Sequence, residues 1–502
     1  MASVLLSRVL GFLRDWTVAH QIGSNAVTDA YYAAFTLPDF LNYLVAGGSL
    51  SLTFIPILTR CMAEQREEEG WRVFSTVITV MDILVAAGIV LGEIFAPALV
   101  RVIAPGFRGA EQDRVISLTR LMLPAQFCFY QGGILSAVQY AKGQFVLPSL
   151  APIVYNVGII LGGVLLSARF GITGFAIGVL AGAFAGNFLL QVYGARRAGA
   201  RFHPCLDLRN PDFKLFVKLT LPIMLAFSII YTDDWIIRWF GSYLAPASIT
   251  WLSYGKTLMR VPLGILGQAV GVASFPFLAQ LYSEGKFEEL SRTLTATLKG
   301  VILLLVPISL LTIAQREPLV TLVFLHTRMK APDLAATAAT LGMFSIGMFA
   351  WGAQNILARG FYSMRDTLTP ALTGTLMTFL NLPVYWFLSH HLAHVGLALA
   401  SSVGVIVYAT ILFFLLNRRI RNLRAGEVLG FFARVCVTAV VAALACHQVM
   451  HWLEARVNWR SSHGALLVLA GASAAGFIAA VAMAKVLRIR ELDPYLARLG
   501  LR

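Results

Sequence analysis

The sequence predicts an all-α polytopic membrane protein. It would have fourteen transmembrane helices: two parallel six-helix repeats related by a pseudo-two-fold axis along the membrane normal, then two additional C-terminal helices. Three observations predict it. Of 502 residues, 58% are hydrophobic and only 13% charged, with a mean hydropathy of +0.74, whereas a soluble chain carries about 25% charged residues. Apolar stretches of the ~20 residues needed to cross a bilayer recur along the whole length. Two pairs of segments also repeat one another at nearly the same offset.

The spans, in order, are 3–22, 27–59, 73–99, 115–140, 148–167, 172–194, 213–239, 247–281, 291–314, 334–358, 368–389, 395–417, 429–451 and 463–486. The first two are apolar enough to cross, yet they hold Arg8, Arg14, Asp15, Asp29 and Asp39. Gly11, Gly23, Pro38, Gly47, Gly48 and Pro56 let their helices bend where those charges sit. The spans 27–59 and 247–281 are long for a simple crossing, so each tilts, kinks at its prolines or extends beyond the bilayer. Asp82, Glu93 and Arg120, in the third and fourth spans, either line a cavity or pair between helices.

Loop charge sets the orientation. With both termini cytoplasmic, the inward loops and tail hold 25 Lys/Arg and the outward loops ten. This satisfies the positive-inside rule. Arg8, Arg14, Arg120, Lys256 and Arg260 fall inside spans. The net charge of +15 is therefore that of cytoplasmic loops and calls for no nucleic acid. No cleavable signal peptide is expected, because the start lacks a basic region and arginines interrupt its apolar run. Five scattered cysteines with no CxxC suggest neither disulfides nor zinc. His390/His394 and His447/His451 have metal-ligand spacing but no adjacent acid or cysteine, and read as interfacial. No Walker loop, HExxH or GxSxG is present. The expectation is a transporter driven by gradients or potential, without enzymatic activity or cofactor.

The repeat explains the layout. TFIPILTRCMAEQREEEGWR (53–72) lies over ASFPFLAQLYSEGKFEELSR (273–292) at an offset of 220, aligning Pro56 with Pro276, Glu64 with Glu284 and Arg72 with Arg292. YAKGQFVLP (140–148) resembles YSMRDTLTP (362–370) at an offset of 222. The offset covers six helices, so both halves share one orientation, and transporters so built hold their site near the midplane. The expected lobes are 1–199 and 200–420, with 421–502 as an appendix of two helices.

A charge at the bilayer centre costs roughly 2.5–3.5 kcal/mol on insertion scales, so such residues face a wet cavity or a partner. Arg14 and Asp15 read as cavity residues. Arg8 stands seven residues before Asp15, nearly on the same helical face. In the second half, Lys256 and Arg260 are four apart on one face. Lys256 reads as a cavity cation; Arg260 either joins it or snorkels to the inner surface. Asp233 and Asp234 either hold a cation or pair with Arg238.

SRVLGFLRD (7–15), TDAYYAAFTLP (28–38), PLGILGQAVGVASFPFL (262–278) and ARGFYSMRDTLTP (358–370) resemble the MurJ (MviN) family, within the multidrug/oligosaccharidyl-lipid/polysaccharide exporter superfamily. The resemblance covers essentially the whole chain. It implies a flippase for lipid II, the lipid-linked peptidoglycan precursor, in the bacterial cytoplasmic (inner) membrane. Its partners would be lipid II or a related polyprenyl-diphosphate glycan, membrane lipids and cell-wall synthesis proteins. The family's central motif arginine falls on Arg14, with Asp15 beside it. The other motif arginine falls on Arg8, the TDA aspartate on Asp29 and the basic residue of helix 8 on Lys256. Arginine suits a diphosphate because its fork donates paired hydrogen bonds. Members usually carry a basic pair and an acid where this chain reads Asn42, Tyr43 and Gly47. Either the glycan differs from standard lipid II or Arg260 replaces the lost charge. Other classes stay open at this point: a drug/cation antiporter of the same superfamily, or a membrane scaffold without transport.

Overall fold

The computed structural model describes residues 2–45, 49–230, 232–264, 268–420 and 424–493. Gly47, Gly48 and the side chains of Tyr43 and Pro276, which entered the sequence reading, lie outside the described residues, as do Arg421 and the tail 494–502. Among the described residues all regular structure is helical. The chain divides into two compact units, Met1–Thr250 and Trp251–Arg502.

The first unit holds α1 (Ala2–Gln21), α2 (Ala26–Ala34), α3 (Thr36–Val45), α4 (Ser49–Ala63), α5 (Glu67–Ile103), α6 (Ala110–Met122), α7 (Ala125–Ala141) and α8 (Val146–Phe170). α9 (Thr173–Ala183) then runs through a π-helical turn (Phe184–Leu189) into α10 (Leu190–Arg197), followed by α11 (Pro211–Ile230), α12 (Thr232–Gly241) and the first turn of α13 (Ser248–Pro262). Asn25 starts α2 through a reciprocal box: its side chain accepts from the N–H groups of Val27 and Thr28, and Thr28 accepts from the Asn25 N–H. The predicted span 27–59 is broken at Phe35. Pro38 has no N–H to offer the Ala34 carbonyl, and Thr119 Oγ1 donates to that oxygen instead, at 3.3 Å. α8 and α9 pack backbone to backbone. A Cβ on Gly158 would collide with Gly182 Cα, and one on Gly162 would lie 2.5 Å from Gly178 Cα. This small-residue packing lets membrane helices associate without a hydrophobic driving force. Phe54, Trp71, Phe74, Tyr130 and Phe216 form the core of α4, α5, α7 and α11.

The second unit continues α13 and adds α14 (Gln268–Ser283), α15 (Phe287–Ala314), α16 (Arg316–Phe324), α17 (Ala331–Ile346), α18 (Met348–Ser363) and α19 (Leu368–Ile420), then α20 (Ala425–Glu454) and α21 (Ser462–Val486). α19 is two helices meeting at Ala393, whose φ is 49°. α20 and α21 pack on each other and on α15 and α16, around Cys446, Met450, Val468 and Ala472.

Nine helices among the described residues are long and apolar enough to cross a membrane. α19 carries two of the predicted spans. The predicted spans outside this set fall on helices that are charged or interrupted: α1, then α2 to α4, then α11 and α12, then α13 and α14.

The repeated sequences carry repeated turns. Between α4 and α5, Gln65 is left-handed (φ 58°) and the Arg66 N–H reaches back to the Cys61 carbonyl at 2.8 Å. Between α14 and α15, Gly285 is left-handed (φ 69°) and Lys286 N–H reaches the Leu281 carbonyl at 3.0 Å. Gly143 (φ 71°) ends α7 and Arg365 (φ 61°) ends α18 in the same way. Each is a six-to-one helix stop that satisfies carbonyls otherwise left without partners.

Candidate functional site

The charges of the opening motif assemble on α1, which packs along α8. Arg14 donates from Nε and Nη2 to the same Asp15 oxygen, at 3.0 and 2.9 Å. Asp15 is buried, while the Arg14 side chain is 27% exposed. Tyr32 Oη lies 3.5 Å from the same carboxylate oxygen, and Tyr31 and Tyr155 are further phenols in the electrostatic surroundings of Arg14. Tyr31 Oη and Asn156 Oδ1 are buried without a hydrogen-bond partner among the described residues. The Asn156 oxygen lies 4.0 Å from where a Cβ on Gly11, one turn before Arg14, would sit. Buried polar atoms of this kind are costly unless water or a ligand completes them. An arginine fork with unmet polar neighbours can take an anion that also carries hydroxyl or amide groups. Arg8 is half-buried on the same helix.

Asp29 does different work. It is buried, and one oxygen accepts both the N–H (2.8 Å) and the hydroxyl (2.6 Å) of Thr250 in the first turn of α13. A carboxylate there satisfies an amide with no partner inside its own helix and complements the helix dipole. Thr28 Oγ1 lies 2.9 Å from the Thr250 hydroxyl and completes the contact. Asp39 pairs with Arg238 of α12 at 3.0 Å, and Thr36 lies 3.4 Å from the same guanidinium. Asp233 and Asp234, at the start of α12, are half-buried.

In the second unit, Lys256 is 7% exposed on α13, with Nζ 5.6 Å from the centre of the Phe344 ring, a cation–π geometry. Arg260, one turn on, is exposed.

Three further intramembrane charges are engaged between helices. Gln131 donates to Asp82 at 2.6 Å, and Arg120 Nε donates to the Glu93 carbonyl at 3.0 Å with the Glu93 carboxylate 3.8 Å away. His447 and His451 approach each other at 3.1 Å, and no group of three or more His, Cys, Asp or Glu suited to a metal occurs among the described residues. Asn42 lines a small pocket with Leu41, Val85, Gln126 and Tyr130.

The sequence reading missed Tyr31, Tyr32 and Asn156. The pair of tyrosines directly after the TDA aspartate was a visible signal. Asn156 is a lone amide in an apolar span, and nothing local ties it to α1.

A profile of the family "Lipid II flippase MurJ" matches residues 18–467. The lipid II flippase MurJ of Burkholderia cenocepacia is 28% identical over 466 residues, covering 91% of this chain and 89% of that protein. The probable lipid II flippase MurJ of Vibrio cholerae is 25% identical over 508 residues, covering 98% and 96%. A solved lipid II flippase MurJ in an inward closed conformation superposes with a TM-score of 0.81 at 20% identity, covering 98% of this chain and 99% of that one. An inward-facing multidrug resistance transporter of the MATE family, in the MOP superfamily, superposes at 0.69 and 14% identity, covering 83% and 96%. With the match extending over most of its length, this chain is a multi-pass membrane protein that belongs to the lipid II flippase MurJ family.

Proposed function

We propose that this chain moves lipid II across the bacterial cytoplasmic membrane, taking the diphosphate-glycan head group from the inner to the outer leaflet by alternating access. The observation that carries the reading is the Arg14–Asp15 pair on α1, with Tyr31 in the electrostatic surroundings of Arg14 and Asn156 near Gly11 one turn before it, both with side-chain oxygens that have no hydrogen-bond partner among the described residues. The forked cation suits the diphosphate, and the polar atoms suit a sugar or peptide. Arg8, Lys256 and Arg260 supply further cations. When no substrate is bound, Asp15 keeps Arg14 partnered and limits the cost of its burial. The lobes 1–199 and 200–420 rock against one another, and 421–502 offers the lipid tail a surface. Both termini lie in the cytoplasm, in keeping with the 25 inward against ten outward Lys/Arg. A second reading, a flippase for another polyprenyl-diphosphate glycan, is favoured by one observation: the pocket beside Asn42 is lined without a cation.

Complementation of a flippase-depleted strain, with protein levels checked, tests the proposal. Arg14→Ala abolishes growth, Arg14→Lys supports less than wild type, Lys256→Ala is severe and Lys256→Arg is tolerated. Wild-type growth of both alanine variants would overturn the reading in favour of a scaffold.

A further inference from the structure

The segment between α10 and α11 stands outside the site described above. Residues 198–210 form no helix, yet their backbone is tied down across the start of α5. The His203 N–H donates to Ser75 Oγ at 3.1 Å and the Asp207 N–H to Thr76 Oγ1 at 3.4 Å, and both acceptors are buried. Cys205 Sγ lies 3.4 Å from Thr76 Oγ1 and 3.6 Å from the Arg72 carbonyl. The other end is held by Asn210, whose side chain accepts from the N–H groups of Asp212 and Phe213 and so starts α11.

A strap fixed in this way would be expected to turn its apolar side chains inward. Instead Phe202, Leu206 and Leu208 are 47%, 59% and 52% exposed. The strap and the helix ends that flank it carry six exposed cations: Arg196, Arg197, Arg201, Arg209, Lys214 and Lys218. The only acids in this stretch are Asp207 and Asp212, and Asp212 is already engaged by Arg60. The strap joins two predicted spans, so it lies at the level of the membrane surface. Exposed apolar side chains flanked by cations at that level match the surface of an anionic leaflet, which attracts basic segments while its acyl boundary accepts apolar ones.

We propose that the strap 198–210, with the flanking basic residues, is an interfacial anchor that docks on negatively charged lipid head groups, with Phe202, Leu206 and Leu208 inserted between them. The anchor is independent of what the chain transports. It would hold the ends of α10 and α11 against the leaflet through the cations and keep the start of α5 covered.

Hydrogen exchange read by mass spectrometry on the full chain in nanodiscs tests this. Peptides over 198–212 should exchange more slowly in phosphatidylglycerol discs than in phosphatidylcholine discs at low salt, with the difference shrinking at high salt. The Arg201→Gln/Arg209→Gln/Lys214→Gln variant should show a much smaller difference between the two lipids than the wild type. Each cation removed should weaken the preference about fivefold, as about 1 kcal/mol per cation at a charged surface implies. The Phe202→Ser/Leu206→Ser variant should retain a salt-sensitive preference but exchange faster than wild type in phosphatidylglycerol. Equal exchange of the wild type in both lipids would overturn the anchor. Protection by inorganic phosphate in phosphatidylcholine discs would also overturn it, since the strap would then be a soluble-anion site.

Discussion

At the scale of single residues, the aspartates of the first two motifs divide their labour. Asp15 neutralises a cation one residue away, whereas Asp29 holds the start of a helix 221 residues further on. The second role makes a prediction. Asp29→Ala takes the acceptor from the buried Thr250 N–H and leaves the Thr250 hydroxyl only Thr28, which should cost about 1–3 kcal/mol. Asp29→Asn keeps an acceptor oxygen and should retain most of the stability and transport. Thermal unfolding in detergent beside a transport assay separates the outcomes. Normal stability with lost transport in the asparagine variant would mean that the charge of Asp29 acts on the substrate. Arg14→Ala removes the partner of the buried Asp15, so its loss of transport is read beside the same unfolding measurement, and transport should fall even where folded protein remains.

At the scale of elements, α20 is fastened to α15 by a buried cation. Lys299, buried on α15, lies 2.5 Å from Glu427 in the first turn of α20, ahead of the predicted span 429–451, and 3.2 Å from Glu491 beyond α21. Its ammonium also stands 5.3 Å from the centre of the Phe431 ring. The hydrogen bond from Lys299, helped by its charge, holds the Glu427 carboxyl below its ordinary range. The sign follows from linkage. A pKa depressed by folding contributes stability that is complete above the unfolded value of about 4.3 and is lost as pH falls through the folded value. Glu427 is about half exposed, so the contribution is modest. The difference in unfolding temperature between wild type and Lys299→Gln should therefore be constant from pH 7 to 5 and shrink below about pH 4. A difference that persisted unchanged at about pH 3 would show that packing of the lysine stem, and not the ion pair, fastens the helices. The neighbouring α19 turns by a different device. Ala393 (φ 49°) makes the turn at the place where Gly171 (φ 57°) ends α8 in the first half, 222 residues earlier. An alanine there accepts backbone strain that glycine would not feel.

For the whole molecule, orientation decides the direction of transport, and loop charge predicts it. Single cysteines at Arg108 and Arg328, both exposed, should be labelled from outside intact cells by a membrane-impermeant thiol reagent. Cysteines at Arg209 or Arg424 should not be. The background has to lack the native Cys205, a free and partly buried thiol of the strap. Gly106 is unsuitable as a probe, because a Cβ there would collide with the Ser242 carbonyl. Labelling at Arg424 from outside would reverse the topology and with it the proposed direction of flipping.

The sequence alone determined the membrane class, the helical architecture, the turns shared by the two repeats and the family, because each of these is local. Apolar length, Gly and Pro positions, and motif spacing act within a few residues, and they survive in any chain that folds this way. The break before Pro38 was legible for the same reason. Which polar group meets which was not. The guanidinium of Arg238 reaches Asp39 on α3, 199 residues away in sequence. The carbonyl left over by Pro38 is met by Thr119, and Asp29 is met by Thr250. Tyr31 and Asn156, whose side-chain oxygens have no hydrogen-bond partner among the described residues, come from α2 and α8. Such pairings depend on which helices pack together. In an apolar solvent every buried polar group must find a partner among its packed neighbours, so tertiary structure decided the site while the sequence decided where its charges would be.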